Sequence, residues 1–292
     1  MRLNWIAGLC LYAAAALHGA DLFHDDFSRF PPGWLTFPVG TLNGAIQEYH
    51  YLPNRGVPLG PWANAVSHLD AWVVSDEGGK PYVEQQLDPS ARQFTNPILV
   101  TGDSEWDDYA VEVKVKPLTL VGMAGILFRY HTSRHYYWCG LSGGNKVGCA
   151  AHLPIEPSSR VQGWKEIASA DFSYDTSRYY ALRVEVAGRE VRVSIDGKQV
   201  LQATDSELLK GKAGISASCP ARFQDFRVTA SDAASHAMAA RIEAREAELR
   251  RLRAENPLPK LWKKFDTPGF GAGRNVRFGD LDGDGVPDML IA

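Results

Sequence analysis

The chain has no excess of basic charge: 31 Lys and Arg against 34 Asp and Glu leave a formal charge of −3 and a pI near 6.2. That balance excludes nucleic acid and anionic membrane as main partners, because both need a basic patch or stripe. Long apolar runs are lacking too. The stretch from Trp5 to Leu17 is shorter than the roughly 20 residues that span a bilayer. With Arg2 before it and Gly19-Ala20 after it, it reads as a secretory signal over 1–20, cleaved after about Ala20. Loss of Arg2 takes the formal charge to −4. The expected location is secreted or periplasmic, with no membrane contact after cleavage.

Cysteine is scarce, and its spacing excludes a zinc site. Cys139, Cys149 and Cys219 follow the signal, in a compartment that permits disulfides. Cys139 and Cys149 flank a Gly-rich turn, GLSGGNKVG, so a bridge between adjacent strands is one reading. Three buried thiols packing as small hydrophobes is the other. Catalytic signatures are thin. No E-x-D-x-x-E strand and no H-E-x-x-H helix occurs, and Glu112 and Glu185 alternate with valines as single acids.

What is present is period-two alternation, the mark of half-buried strands. Tyr109–Val115, Ala124–Tyr130 and Tyr136–Leu141 read as a three-stranded antiparallel meander. Strict alternation places Ala124, Ile126, Phe128 and Tyr130 on one face and Gly125, Leu127, Arg129 and His131 on the other. Tyr136 and Trp138 then join Arg129. Further strands are expected at Tyr179–Val186, Glu190–Ile195, Gly214–Ala217 and Phe223–Thr229, with Asp196-Gly197 as a hairpin turn. Pairing of LFHDDF with FQDFRVT would join the first and last strands. Asp25, Asp26 and Asp225 would then approach one another, either as a cation site or as turn caps facing water. Between Phe37 and Asn96, Pro, Gly, Asn and Trp dominate, so strands joined by long loops are expected. Trp62, Trp72, Tyr82 and Trp164 are candidates to line a loop rim, or core plugs.

After Ser231 the composition shifts. Asp232 is placed to cap a helix over 232–256, dense in Arg and Glu, with only a thin apolar stripe of Met238, Ile242, Leu249 and Leu252. A charged spacer is expected, a docking helix or short coiled coil being the alternative. The chain then reaches RFGDLDGDGVPDMLIA, with D-x-D-x-D-G-x-x-D spacing. Alternate carboxylates of a tight turn converge, Gly285 permits positive φ, and oxygen-only donors suit calcium. The expected metal set is Asp280, Asp282, Asp284, Val286 and Asp288.

DDFSRFPPGW, AGILFRYHTSRHYYW, YYALRVEVAGREVRVSIDGKQVLQA and FQDFRVT stand in an order that resembles the concanavalin-like jelly-roll, or laminin-G-like, β-sandwiches. The resemblance covers 21–231 and implies an all-β fold whose concave sheet binds glycan. Arg129, His131, Tyr136, Trp138 and Trp164 would form that ligand-binding set, with aromatic rings stacking on sugar faces and the guanidinium offering forked donors. The calcium loop resembles FG-GAP, or VCBS-type, propeller repeats, which makes 257–292 an incomplete repeat. The whole order resembles secreted rhamnogalacturonan lyase-like proteins. That resemblance implies a non-catalytic carbohydrate-binding module whose partner is a polysaccharide or other glycan. A protein-interaction or adhesion module and a sandwich glycoside hydrolase are the alternatives.

Overall fold

The computed structural model describes residues 19–35, 57–65, 71–87, 96–154, 162–257, 260 and 276–291. The strands, in chain order, are β1 (Ala20–Asp25), β2 (Gly33–Trp34), β3 (Val57–Leu59), β4 (Trp62–Asn64), β5 (Trp72–Glu77), β6 (Lys80–Gln85), β7 (Ile98–Thr101), β8 (Tyr109–Pro117) and β9 (Met123–Thr132). They continue as β10 (His135–Ser142), β11 (Lys146–Pro154), β12 (Gln162–Asp171), β13 (Tyr180–Ala187), β14 (Glu190–Ile195), β15 (Lys198–Thr204), β16 (Lys212–Ala217) and β17 (Ala221–Ala230). Helix α1 (Asp232–Glu255) follows, then a hairpin of β18 (Val276–Gly279) and β19 (Asp288–Ile291). Among the described residues, no helix is long and apolar enough to cross a membrane.

Two antiparallel sheets form a β-sandwich. One runs β15-β14-β13-β8-β17-β6-β5-β2, with β1 on β17; the other runs β12-β11-β10-β9-β16-β7-β4-β3. The first and last strands pair as expected, Asp25 opposite Phe226. The expected meander divides, however: β8 lies in the first sheet and β9 and β10 in the second. Alternation reveals strands but not which sheet each joins, and the polar link 118–122 lets the chain cross between layers.

The core follows from the alternation. In β13, Tyr180, Leu182, Val184 and Val186 point inward, and in β14 Val191, Val193 and Ile195 do the same. Each such side chain contributes about 1.5–3 kcal/mol by leaving water. From the second sheet Ala124, Ile126 and Phe128 of β9 and Tyr137, Cys139 and Leu141 of β10 face them. Cys139 lies directly opposite Cys149, and the two form a disulfide with a Cα–Cα distance of 4.2 Å. Cys219 is buried, its Sγ 3.5 Å from the Met123 carbonyl. Trp62 and Trp72 are core plugs, Trp62 among Phe23, Phe27 and Phe226 and Trp72 against Phe223. Tyr82 is buried with the Arg222 guanidinium 4.5 Å from its ring centroid. None of these three lines a rim.

Helix α1 starts one residue earlier than a cap at Asp232 requires. The Ser231 hydroxyl accepts from the Ala234 amide at 3.2 Å, so Ser231 is the cap. The helix is docked as far as Arg245 and is not a spacer there: Met238 is buried in the core cluster, and Arg245 donates twice to Asp103, at 2.7 and 2.8 Å. Arg241 reaches Asp107 at 2.7 Å. The chain divides into two compact units, the first ending at Arg245 and the second running from Glu246 to Ala292.

Candidate functional site

The outer face of the second sheet carries a row of aromatic side chains set by strand register. Tyr136 of β10 lies opposite His152 of β11, and His152 opposite Trp164 of β12. Directly opposed residues share a face, so the three rings are neighbours. The His152 and Trp164 centroids are 4.8 Å apart, Tyr136 and His152 5.1 Å, and Tyr136 and Trp164 5.8 Å with planes nearly perpendicular. Tyr130 adjoins at 6.0 Å from Tyr136, and Trp138 stands two residues along from Tyr136 on the same face. Most of this cluster is buried, but Trp164 is 40% exposed and gives the row an edge in solvent.

Polar atoms in this cluster lack partners. The Tyr130 hydroxyl, the Trp138 Nε1 and the His152 Nδ1 are buried without a hydrogen bond to any described residue. Such an atom costs about 1–3 kcal/mol, and native proteins keep it where water or a ligand completes the set. Burial lowers the His152 pKa to about 4, with Arg134 and His135 adding repulsion and a hydrogen bond to the Ser133 backbone opposing. Burial also raises the Tyr130 and Tyr136 hydroxyls well above their ordinary range, so both stay protonated.

Of the five expected ligand residues, Tyr136, Trp138 and Trp164 gather on this face and Arg129 does not. Arg129 is fully buried and turned inward; its Nη1 donates to the Leu208 carbonyl at 3.0 Å and its Nη2 to the Gly188 carbonyl at 2.7 Å and the Asp107 carbonyl at 3.4 Å. The reason is a bulge. Arg129 has φ +48°, and the pairing of β9 slips against both β10 and β16 at this point. The slip sends Arg129 inward and Tyr130 outward, reversing the strict alternation for both. Gly211 makes room: at φ +144°, a Cβ there would lie 2.5 Å from the Arg129 carbonyl carbon. Burial lowers the Arg129 pKa, and the nearby Tyr109, Asp108, Tyr137 and Asp107 oppose that shift. His131 sits apart at the strand end, its Nε2 2.7 Å from the Lys210 carbonyl oxygen and its ring 5.9 Å from His135. The sequence reading missed His152 and Tyr130, the first in the weakly alternating KVGCAAHLP and the second because nothing local marks the bulge.

The first sheet's outer face is an ion-pair ladder. Arg183 bridges Glu112 and Glu185, and Arg192 bridges Glu185 and Glu190. Asp225 pairs with His24 and Lys114, each at 2.9 Å, while Asp25 accepts from Trp62 Nε1 at 2.8 Å. Asp26 accepts from the Ser28 amide and hydroxyl. These three acids are turn caps and pair partners rather than a shared cation site. Gly140, Ser142 and Gly144 do have the G-x-S-x-G spacing of a hydrolase nucleophile, yet they form a hairpin tip, where the Ser142 hydroxyl donates to the Lys146 carbonyl at 3.3 Å. A nucleophile elbow needs a strand-to-helix turn. On the second sheet's outer face, register places Glu166 and Asp171 of β12, five residues apart along one strand, roughly 15 Å at strand rise. Two-carboxylate glycoside hydrolysis needs about 5–10 Å.

In the second unit the carboxylates of Asp280, Asp282 and Asp288 offer oxygens all within 4.8 Å of one another. Asp280 accepts from the Gly283, Asp284 and Gly285 amides, and Gly283 and Gly285 have φ +82° and +83°. Asp284 turns instead to the Val286 amide at 2.7 Å.

No family model matches the chain. An extracellular exo-alpha-L-arabinofuranosidase of Streptomyces chartreusis is 30% identical over 147 residues, 50% of this chain and 16% of that protein. Among solved structures, the carbohydrate binding module CBM66 from Bacillus subtilis aligns with TM-score 0.46 at 16% identity, over 59% of this chain and 97% of that one. A xylan beta-1,4-xylosidase from Bacillus halodurans aligns with TM-score 0.42 at 10% identity, over 61% of this chain and 38% of that one.

Proposed function

We propose that the sandwich is a secreted carbohydrate-binding module whose site is the Tyr130–Tyr136–Trp138–His152–Trp164 face. The observation that carries this reading is the set of three buried polar atoms, without a partner among the described residues, beside the half-exposed indole of Trp164. A flat aromatic ring stacks on the apolar face of a sugar while nearby polar groups take its hydroxyls, the usual composition of a small-ligand site. The arabinofuranosidase relative supports a glycan partner and an extracellular location. The distance between Glu166 and Asp171 supports binding over hydrolysis. Affinity electrophoresis through gels containing arabinan or arabinoxylan tests the reading. Retardation by at least one polysaccharide, lost in Trp164→Ala and kept in Arg192→Ala on the opposite sheet, is expected. Equal retardation of the two variants would refute the site.

We propose further that Asp280, Asp282 and Asp288 hold calcium, with Asp284 and Val286 at the margin of the loop. Their clustered hard oxygens suit that ion. It would fix the loop between β18 and β19 rather than take part in chemistry.

A further inference from the structure

The hairpin between β9 and β10 carries two histidines that the carbohydrate face does not use. Thr132 lies opposite His135, so the turn is tight, and it holds the His131 and His135 rings 5.9 Å apart with their planes at 62°. We propose that His131 and His135, joined by the Glu207 carboxylate, bind a first-row divalent cation of zinc type, at a place separate from the aspartate loop and its calcium.

Three observations lead there. First, a hydrogen bond fixes the tautomer of His131. Its Nε2 is 2.7 Å from the Lys210 carbonyl oxygen, which only accepts, so Nε2 carries the hydrogen and the neutral ring keeps its lone pair on Nδ1. A metal-ligating imidazole is oriented in the same way, by giving its other N–H to a backbone carbonyl. Second, the spacing suits a shared ion. Zinc–nitrogen bonds of about 2.0–2.1 Å put the centres of two imidazoles on one tetrahedral ion roughly 5 Å apart, so the pair needs to close by less than about 1 Å. Third, the charge around the pair permits a cation. Burial and His131 lower the His135 pKa and Glu207 opposes them, so the imidazole stays neutral and able to ligate while the carboxylate's field reaches it. Arg134, between the two histidines in sequence, acts on His152 and is not among the groups acting on His135. Lys165 is held by Asp205 at 2.9 Å and Lys210 by Glu105 at 2.8 Å. Glu207 shares the loop of Lys210, with its amide on Asp205 at 2.8 Å, and its exposed side chain would close on the pair by rotation. Among the described residues, the trio already within 4.8 Å is the aspartate one. Two imidazoles and one carboxylate suit zinc, copper or nickel rather than calcium. The bound ion would tie the hairpin tip to the loop over 205–211.

The test is calorimetric titration of the full chain with zinc chloride at neutral pH, in excess calcium so that the aspartate loop is filled. One saturable site is expected. His131→Gln and His135→Gln should each weaken it by at least about tenfold, the loss that follows even when a residue behind a ligand is removed. Glu207→Gln should weaken it less, and His236→Gln, on α1, should bind as wild type does. His135→Gln leaves the bond from His131 to Lys210 in place, so circular dichroism should show it folded and its lost affinity is the loss of a ligand. In ¹⁵N spectra zinc should shift the His131 Nδ1 signal while Nε2 stays protonated. Absence of a saturable zinc heat in wild type would overturn the proposal, as would wild-type affinity in His135→Gln or in a folded His131→Gln. Undiminished affinity in Glu207→Gln would strike the carboxylate from the set.

Discussion

Arg129→Met separates a buried rivet from a ligand contact. The guanidinium ties three loop carbonyls, those of Leu208, Gly188 and Asp107, at 3.0, 2.7 and 3.4 Å, from a side chain with no solvent exposure. Methionine fills much of the volume but donates nothing, so the three acceptors lose their partner inside the protein. Removing one side of a buried charged hydrogen-bond set costs about 3–5 kcal/mol. At roughly 2–4 °C per kcal/mol for a domain of this size, the melting temperature should fall by about 6–20 °C. Thermal unfolding by circular dichroism, with polysaccharide retardation measured below the transition, gives both readouts. Arg129→Met should be markedly less stable and, while folded, should bind as wild type does. A melting temperature within a degree of wild type together with lost binding would refute the assignment and return Arg129 to the ligand set.

Four other outcomes are expected. His152 is neutral in the fold, with a pKa of about 4 against an ordinary value near 6.5, so the unfolded chain takes up its proton first. Stability should therefore fall as pH drops from about 6.5 to 4, by on the order of 2–3 kcal/mol, and denaturant titrations of His152→Phe should show a shallower loss over that window. Replacing Cys139 and Cys149 by serine opens a bridge between residues 10 apart in sequence and should cost about 2–3 kcal/mol in urea unfolding. Arg245→Ala removes the paired hydrogen bonds to Asp103 and should raise amide exchange in α1 up to residue 245, leaving the sandwich strands protected. Calcium titration should give a heat signal that Asp282→Ala abolishes; identical heats from both proteins would discard the metal loop.

Much of the sandwich is legible because two faces of each strand meet different solvents. YYALRVEV and EVRVSI alternate cleanly, and Asp196-Gly197 turns the β14–β15 hairpin at φ +52° and +77°. The pairing of the termini follows from matched aromatic-acid patterns. The site is less legible, since a single residue at positive φ changes which face the next side chains of the same strand take. Arg129 and Tyr130 exchange sides for that reason, and arginine carries no local signature of a left-handed backbone. Strand β12, QGWKEIASAD, mixes charged and small residues because it is an edge strand with one half-wet face, which hides Trp164's place beside His152. Helix α1 has too thin an apolar stripe to announce docking, because its anchoring up to Arg245 comes from Met238 plus two arginines meeting Asp103 and Asp107.

The most direct measurement is a ¹⁵N-indole spectrum of tryptophan-labelled protein titrated with arabinan oligosaccharides. The Nε1–H signals of Trp164 and Trp138 should move in step with ligand, while those of Trp62, bonded to Asp25, and Trp72, packed on Phe223, should stay in place. Shifts confined to Trp62 and Trp72, or none at Trp164 at saturating ligand, would contradict the account.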